Sequence, residues 1–466
     1  MALSNALDAA SAGLFVLSRR AELVSLNISN AATAGYVRRE LAVQSNAFGS
    51  GPQAMGVNRQ GDAILLGDRR SAQAASDSAQ FTAERLLRLE RAYGEVGQNG
   101  SLTDAVNRFG AALVLASTSP GSPTALASVL ETAQSLTDGI RRTSATIQQI
   151  RGEADRRIAA DVGSLNDFLT RIAELDSQIV AARSARRDIA ALQDQRQLLV
   201  DRVASIIPLR EVDRPDGRPA LIAQNGAVLL DGRPTEFAFS PTPVISASST
   251  VPLSGLVMDG RPLPAGRGSL IDGGSLAAAF AMRDDITLEA QQGLDAFAQT
   301  VALRLQSADS TLAVAQPGLF TDGGAAVQPA SLPGLASRIA VNTLADPDTG
   351  GDLRLLRDGF GSVSPGPISD GTRLLALHRA LGDQAPRSVA EGAADLTQGI
   401  ATARLTAEAE ASRAQSRAAT LIEAEAAAGV STDAELQNLL QIEKAYAANA
   451  KVLQVVDGLL QTLLEI

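Results

Sequence analysis

Cysteine and tryptophan are both absent from this 466-residue chain. Without thiols there is no disulfide, no thiolate metal ligand and no cysteine nucleophile. A cysteine-free chain suits the reducing cytoplasm, and equally a protein exported unfolded into an oxidising space, where stray thiols would cross-link. Aromatic residues amount to 3%, so apolar packing falls to Leu, Ile, Val and Ala. That economy suits long helices laid side by side better than catalytic domains built on large rings. Lysine is confined to Lys444 and Lys451, with arginine supplying the other cations, as GC-rich coding alone produces. His378 is the single histidine. It offers neither a histidine-rich metal site nor a catalytic triad, and a surface or helix-end place is expected for it. No apolar run is long enough to span a bilayer. The opening Met-Ala-Leu-Ser-Asn-Ala-Leu-Asp has no basic start and is interrupted by Asp8, so no cleaved secretory signal is expected.

What is present describes a soluble chain of roughly two to four domains. The net charge of −10 repels phosphate and disfavours nucleic acid as a partner. The arginine pairs Arg19-Arg20, Arg38-Arg39, Arg141-Arg142 and Arg186-Arg187 lack interleaved aromatics for stacking on bases. Solvated helix faces or intersubunit ion pairs are their ordinary reading.

The first segment carries an apolar seam at Leu3, Leu7, Ala10, Leu14, Leu17, Ala21, Val24 and Ile28. Its alternating steps of four and three predict one helix face, about 39 Å long at 1.5 Å per residue. Gly35 closes the polar stretch that follows. A second helical pattern from Phe81 to Phe109 is broken by Gly94, Gly97 and Gly100. Between Pro123 and Pro208 there is no proline, and Ile158, Val162, Leu165, Leu169, Ile172, Leu175 and Ile179 form another seam, resumed at Ile189, Leu192, Leu199 and Val203. One or two long antiparallel or coiled-coil helices follow from it. From Pro208 the pattern turns β-like: Pro215-Asp-Gly217, Asn225-Gly226 and Asp231-Gly232 punctuate short apolar runs as hairpin turns would. Helix returns from Met282 to Leu305, residues 310–370 read as loops with few regular elements, and an alanine-dense helix is expected from Ile400 to Ala428. A last amphipathic helix runs through Leu436, Leu439, Leu440, Tyr446, Ala450, Leu453, Val456, Leu460, Leu463 and Leu464, with Ser431 or Thr432 as its cap and Glu435 placed to close a capping box on Thr432.

The expected fold is therefore mainly α with a small β-rich insertion. Residues 1–45 with 430–466 form a coiled-coil terminal unit of paired long helices, 46–207 with 275–429 an inner helical-bundle domain, and 208–274 a β-rich outer domain. No catalytic, cofactor-binding or metal residues are expected. Gly266-Arg-Gly-Ser-Leu-Ile-Asp-Gly-Gly274 has neither the lysine-hydroxyl ending of a phosphate loop nor dinucleotide spacing, and reads as a turn before the next helix. Asp284-Asp285 suits the start of that helix, where carboxylates meet the helix dipole. The sequon Asn27-Ile-Ser29 is short, common and on the seam helix.

Two stretches carry a resemblance. Ser25-Leu-Asn27-Ile28-Ser-Asn30, leading to Gly35-Tyr36-Val-Arg38, resembles the N-terminal signature of flagellar rod, hook and hook-associated subunits. Ala34 stands where the family has proline and Ser29 where it has alanine. Gly429-Val-Ser-Thr-Asp-Ala-Glu435, followed by Leu439 to Ala445-Tyr446 and Lys451-Val-Leu453-Gln, resembles the matching C-terminal signature. Glu443 and Lys444 stand there in place of glutamines. The middle, with long helices at 125–205, the run from Leu192 to Ala204, the β segment, and Phe280 to Ala308 ahead of Pro317-Gly-Leu-Phe320, is similar to the hook-associated protein 1 branch.

The resemblance implies a structural subunit at the hook–filament junction and no enzymatic activity. Implied partners are copies of itself in a ring-like layer, the hook protein, hook-associated protein 3 on the filament side, the flagellar export apparatus and a dedicated export chaperone. It implies an extracellular place at the junction after a transient cytoplasmic stage, with assembly through the terminal helices, including Leu453, Leu460 and Leu464. The alternatives are a hook or rod subunit, a cytoplasmic coiled-coil scaffold, or a helical-bundle enzyme. The scaffold leaves the two end motifs unexplained, and the enzyme lacks a catalytic set.

Overall fold

The computed structural model describes residues 2–33, 35–45, 51–95, 97–248, 253–266, 268–382 and 387–464. Helix α1 (Ala2–Ser29) leads into an antiparallel hairpin of β1 (Arg39–Ser45) and β2 (Pro52–Arg59). Its seam is shared between two partners. Ala10 and Val24 are buried and Leu7, Leu14, Leu17, Ala21 and Ile28 half-buried, but Val16 and Leu23 are buried as well. Those two form a small cluster with Leu41, flanked by Val43, Ala54 and Val57 of the hairpin. The buried face is thus wider than the periodic seam, because α1 packs on the hairpin with one edge and on the last helix with the other. The side chain of Leu3 lies outside the described residues.

Helix α2 (Ala63–Tyr93) starts where Asp62 accepts from the backbone N–H of Ile64 and Leu65, and stops at Gly94. It begins well before the Phe81 expected from the sequence. Its first turns bury Arg70, Ala72, Ala74 and Ser76, a face of small and polar residues that leaves no apolar period to read. The three glycines do break the pattern, and α3 (Leu102–Thr118) follows, capped by Ser101. Proline at the first turn and the Ser122 cap start α4 (Pro123–Ser184), 62 residues long, which is about 93 Å of helix. The chain reverses at Arg186 into α5 (Ala190–Ile206). Buried Val200, Val203 and Ala204 of α5 then share a cluster with Ile158 to Ile172 of α4, so the long apolar stretch is an antiparallel helix hairpin.

Short strands follow: β3 (Leu209–Val212), β4 (Ala220–Ala223), β5 (Val228–Asp231) and β6 (Arg233–Pro234) in one antiparallel meander, then β7 (Phe237–Ala238), β8 (Leu256–Met258) and β9 (Arg261–Leu263) in another. The turns containing Gly217, Gly226 and Gly232 all place glycine at positive φ, as the hairpin reading required. Their inner residues Leu221, Leu229, Leu230, Phe237 and Leu256 join the α4–α5 cluster.

Helix α6 (Gly274–Ala281), one π-turn (Met282–Ile286) and α7 (Thr287–Ala308) form a continuous run. Asp284 and Asp285 therefore sit inside a helix and not at its start. Asp284 grips the neighbouring Arg283 at 2.8 Å. Residues 310–370, read as loops, hold a small sheet of β10 (Phe320–Asp322), β11 (Ala325–Ala326) and β12 (Ile339–Val341), with α8 (Leu335–Arg338) before the last strand and α9 (Arg354–Asp358) after it. These elements are too short for periodicity to show. The chain returns through α10 (Thr372–Gly382), α11 (Val389–Ala428) and α12 (Thr432–Leu464). A capping box of Ser388 and Glu391 starts α11. Ion pairs Arg404–Glu90 and Arg69–Glu425 show that α11 runs antiparallel along α2. The main apolar cluster is built from α2, α3, the first half of α4, α7, α10 and the start of α11, with Phe109 and Phe320 rings 5.9 Å apart.

Candidate functional site

The two motif stretches meet where the terminal helices join the body. Asn27, on the last turn of α1, is 1% exposed. Its Nδ2 donates to the Arg39 carbonyl at 2.9 Å, while its Oδ1 accepts from the Arg39 N–H at 3.0 Å and from the Tyr36 hydroxyl at 2.8 Å. The carboxamide thus pairs with Arg39 as a strand neighbour would, and ties the loop back to the helix it leaves. A buried, fully engaged amide is no glycosylation acceptor. Burial pushes the Tyr36 hydroxyl above its ordinary pKa against the pull of the Arg39 charge, so it stays a protonated donor. Arg39 also lies 4.8 Å over the Tyr36 ring.

Gly35 turns the loop at φ +76, and a β-carbon there would sit 2.6 Å from Leu198 Cδ2 of α5. Both the backbone and the space require glycine. Asn30 Nδ2 donates to the Leu26 carbonyl at the end of α1, Ile28 is half-buried and Ser25 is exposed. Arg38 Nε donates to Glu435 Oε1 at 2.6 Å, and Glu435 is 1% exposed. This contact joins the two motifs directly. It also corrects the expected capping box: Ser431 Oγ accepts from Ala434 N, and the Glu435 carboxylate reaches Arg38, because an ion pair on a buried carboxylate outweighs a local helix-end hydrogen bond.

On the returning strand, Gly429 ends α11, with its N–H bonded to the Ala426 carbonyl. Leu439, Ala445, Leu453 and Leu460 of α12 are half-buried, while Tyr446 and Lys451 are exposed. The Leu464 side chain lies outside the described residues. Asn449 Oδ1 would lie 3.1 Å from a β-carbon at Gly13, so α1 and α12 approach closely there. The other face of α12 carries Val452, Val455 and Leu459, exposed by 47%, 62% and 50%.

Sequence reasoning missed the charged neck beneath this junction. Asp194 of α5 accepts from Arg39 Nη2 at 2.6 Å and Arg59 Nε at 2.9 Å, and Gln197 accepts from Arg59 Nη2 at 2.7 Å. Beside it runs an unbroken chain of alternating charges. Glu425 meets Arg69 at 2.8 Å, Arg69 and Arg70 share Asp201, Arg70 and Arg196 share Glu211, and Arg196 closes on Asp176 at 2.5 Å. The available signal was the polar run from Leu192 to Ala204, whose spacing of Asp194, Gln197, Leu198 and Asp201 makes one helix stripe. Arg59, Arg70, Asp176, Arg196, Glu211 and Glu425 line a cleft of about 1240 Å³ that Gly429 also borders.

Burial alone would raise the Glu211 carboxyl, yet the Arg196 and Arg70 charges hold it below its ordinary value. Asp176 goes the other way, since burial outweighs its guanidinium partner Arg196. For Glu211 the folded pKa lies below the unfolded one, so its contribution is complete above about 4.3 and is lost as pH falls through the folded value. The stability gap between wild type and Glu211→Gln, measured by urea unfolding, should be full at neutral pH and close on acidification. A gap independent of pH would show that the carboxylate charge is not what stabilises.

The carboxylates of this neck are occupied by arginine. Among the described residues no group of three or more His, Asp or Glu side chains is placed to hold a metal ion. His378 is half-buried on α10 with Nδ1 unpartnered and stands apart from the site. No helix among the described residues is long and apolar enough to cross a membrane. The arrangement holds elements together and presents an apolar face.

Comparison with known proteins agrees with that character. The model described as the flagellar hook-associated protein FlgK helical domain matches residues 86–311, and that of the flagellar basal body rod FlgEFG protein C-terminal matches 424–466. Flagellar hook-associated protein 1 of Salmonella typhimurium is 25% identical over 243 residues, 49% of this chain and 43% of that protein. Its Bacillus subtilis counterpart is 25% identical over 246 residues, 50% of this chain and 48% of that protein. The matches thus span less than half of each curated relative. The flagellar hook junction protein FlgK from Burkholderia pseudomallei shares the fold, with a TM-score of 0.61 at 14% identity over 77% of this chain and 99% of that structure. In both a central helical domain and the C-terminal motif, the chain is thus similar to flagellar hook-associated protein 1.

Proposed function

We propose that this chain is a structural, non-enzymatic subunit of the bacterial flagellum that forms the junction between hook and filament. The observation that carries the reading is the paired terminal stalk. Helices α1 and α12 cover each other on one side, and α12 leaves Val452, Val455 and Leu459 exposed on another. A stripe of that kind on a paired stalk supports burial against neighbouring subunits. Residues 1–45 with 430–466 then act as the assembly unit, 46–207 with 275–429 as the inner domain and 208–274 as the outer one. The motif residues divide by role: Asn27, Gly35, Tyr36 and Arg38 shape the stalk's base, while Leu453 and Leu460 hold α12 against α1. The partners are further copies in a ring-like layer, the hook protein below and hook-associated protein 3 above. Delivery is through the flagellar export apparatus with a dedicated chaperone, and the final location is extracellular.

Leu459→Asp tests this reading. Leu459 is half exposed in the subunit, so the monomer should melt as wild type does, within about 0.5 kcal/mol. In the assembled layer the charge would be buried unpaired, at a cost of several kcal/mol. Cells carrying it are expected to lack filaments and release flagellin into the medium. Normal filaments in that strain would refute the stalk contact. Immunogold labelling along the hook, instead of at its distal boundary, would favour a hook subunit.

A further inference from the structure

Among the described residues the apolar clusters do not cross the neck. The small cluster ties α1 to both strands of the hairpin, so β2 moves with the terminal unit, and the two large ones stay within the body. Among the described residues, Leu198 stands against Gly35 and Gln197 accepts from Arg59, and the other side-chain bonds from hairpin to body are ion pairs. Asp194 takes one guanidinium from each strand, Arg39 from β1 on Oδ2 and Arg59 from β2 on Oδ1, and all three side chains are half-buried. About two turns along the same stripe, Asp201 takes Arg69 and Arg70 from the start of α2, and Arg69 reaches Glu425 on the returning strand. Every covalent connection between terminal unit and body therefore passes a carboxylate of α5 or an arginine bound to one.

We infer that this stripe of α5 is an ionic latch that fixes the angle between the terminal unit and the helical body. A greasy joint tolerates sliding, because dispersion is non-directional. A carboxylate clamped between two guanidinium groups has one good geometry, and leaving it strands charges in a partly dry site. Opening Asp194 frees the hairpin, while the Asp201 pairs keep the foot of α2 in place. The latch thus sets a hinge where the chain crosses the neck, at residues 60–62 and 429–431, without loosening the body, as a bistable joint requires.

The chain has no native cysteine, so engineered pairs can be spin-labelled in the full-length protein. Gln53→Cys on β2 with Gln178→Cys on α4 reports the angle, and both positions are exposed. Ser18→Cys on α1 with Gln53→Cys reports the terminal unit alone. With wild-type Asp194 the first pair should give a narrow distance distribution by double electron–electron resonance. Asp194→Asn keeps the shape and removes the charge, and should broaden that distribution roughly twofold while the second pair stays narrow. An unchanged first pair would overturn the latch. Broadening of both pairs would overturn it too, by showing that Asp194 folds the terminal unit and does not aim it.

Discussion

Replacing Asp155 by alanine is expected to destabilise the body by about 3–5 kcal/mol, the range for breaking a buried ion pair by removing one partner. Asp155 of α4 and Arg283 of the π-turn are 2% and 1% exposed at the side chain and meet at 2.6 Å. Arg283 also donates to the Ser254 carbonyl, and Asp155 accepts from the Thr242 N–H. The guanidinium lies 4.9 Å over the Phe280 ring and 5.4 Å over Phe239. One pair therefore holds α4, the helix of 274–308 and the β-rich segment to each other. Asp284 would remain on Arg283 after the substitution, but Asp284 is partly open to water and does not replace a dry partner. Denaturant unfolding of Asp155→Ala measures the loss. The double variant Asp155→Ala/Arg283→Met, which leaves no orphaned charge, should recover much of it. A double variant as unstable as the single would mean that packing, and not the unpaired cation, sets the cost.

The second large effect is expected at Asn27. Asn27→Ala leaves the Arg39 N–H and carbonyl and the Tyr36 hydroxyl without their partner, at a cost of about 2–4 kcal/mol. The loss should be local, seen as faster hydrogen exchange from Tyr36 to Arg39 and across the hairpin, with α4 and α7 unaffected. Asn27→Asp keeps the acceptor oxygen and should be milder for Tyr36, yet it loses the donor to Arg39. Ser25→Ala, on the exposed side of the same turn, should change nothing measurable. Equal protection of the hairpin amides in wild type and Asn27→Ala would show that the carboxamide does not tie the loop to α1.

What could be read beforehand was what periodicity encodes. The α1 seam, the α4–α5 stretch and the glycine turns of 217, 226 and 232 all express a repeat or a positive φ in the residues themselves. The early turns of α2 were illegible because they bury Arg70, Ala72, Ala74 and Ser76, which carry no hydrophobic signal. The α5 stripe left a signal, but its partners across the neck were illegible for a related reason. Arg38–Glu435 joins residues 397 apart in sequence, and ion pairs at such range leave no local pattern. Glu435 illustrates the risk: its spacing from Thr432 fits a capping box, and only the fold brings a stronger partner to it.

The antiparallel run of α11 along α2 has a consequence for the order of folding. Contact between α1 and α12 closes a loop of roughly four hundred residues in the bare chain, whereas after α2 and α11 have paired only a few tens remain to be closed, an entropic saving of about 2 kcal/mol. Short of that pairing, two lone helices with half-apolar faces have little to hold them together. The stalk is therefore the last part of the subunit to form and the first to open, so a chain whose body is damaged loses its paired terminal helices as well, with no lesion there at all.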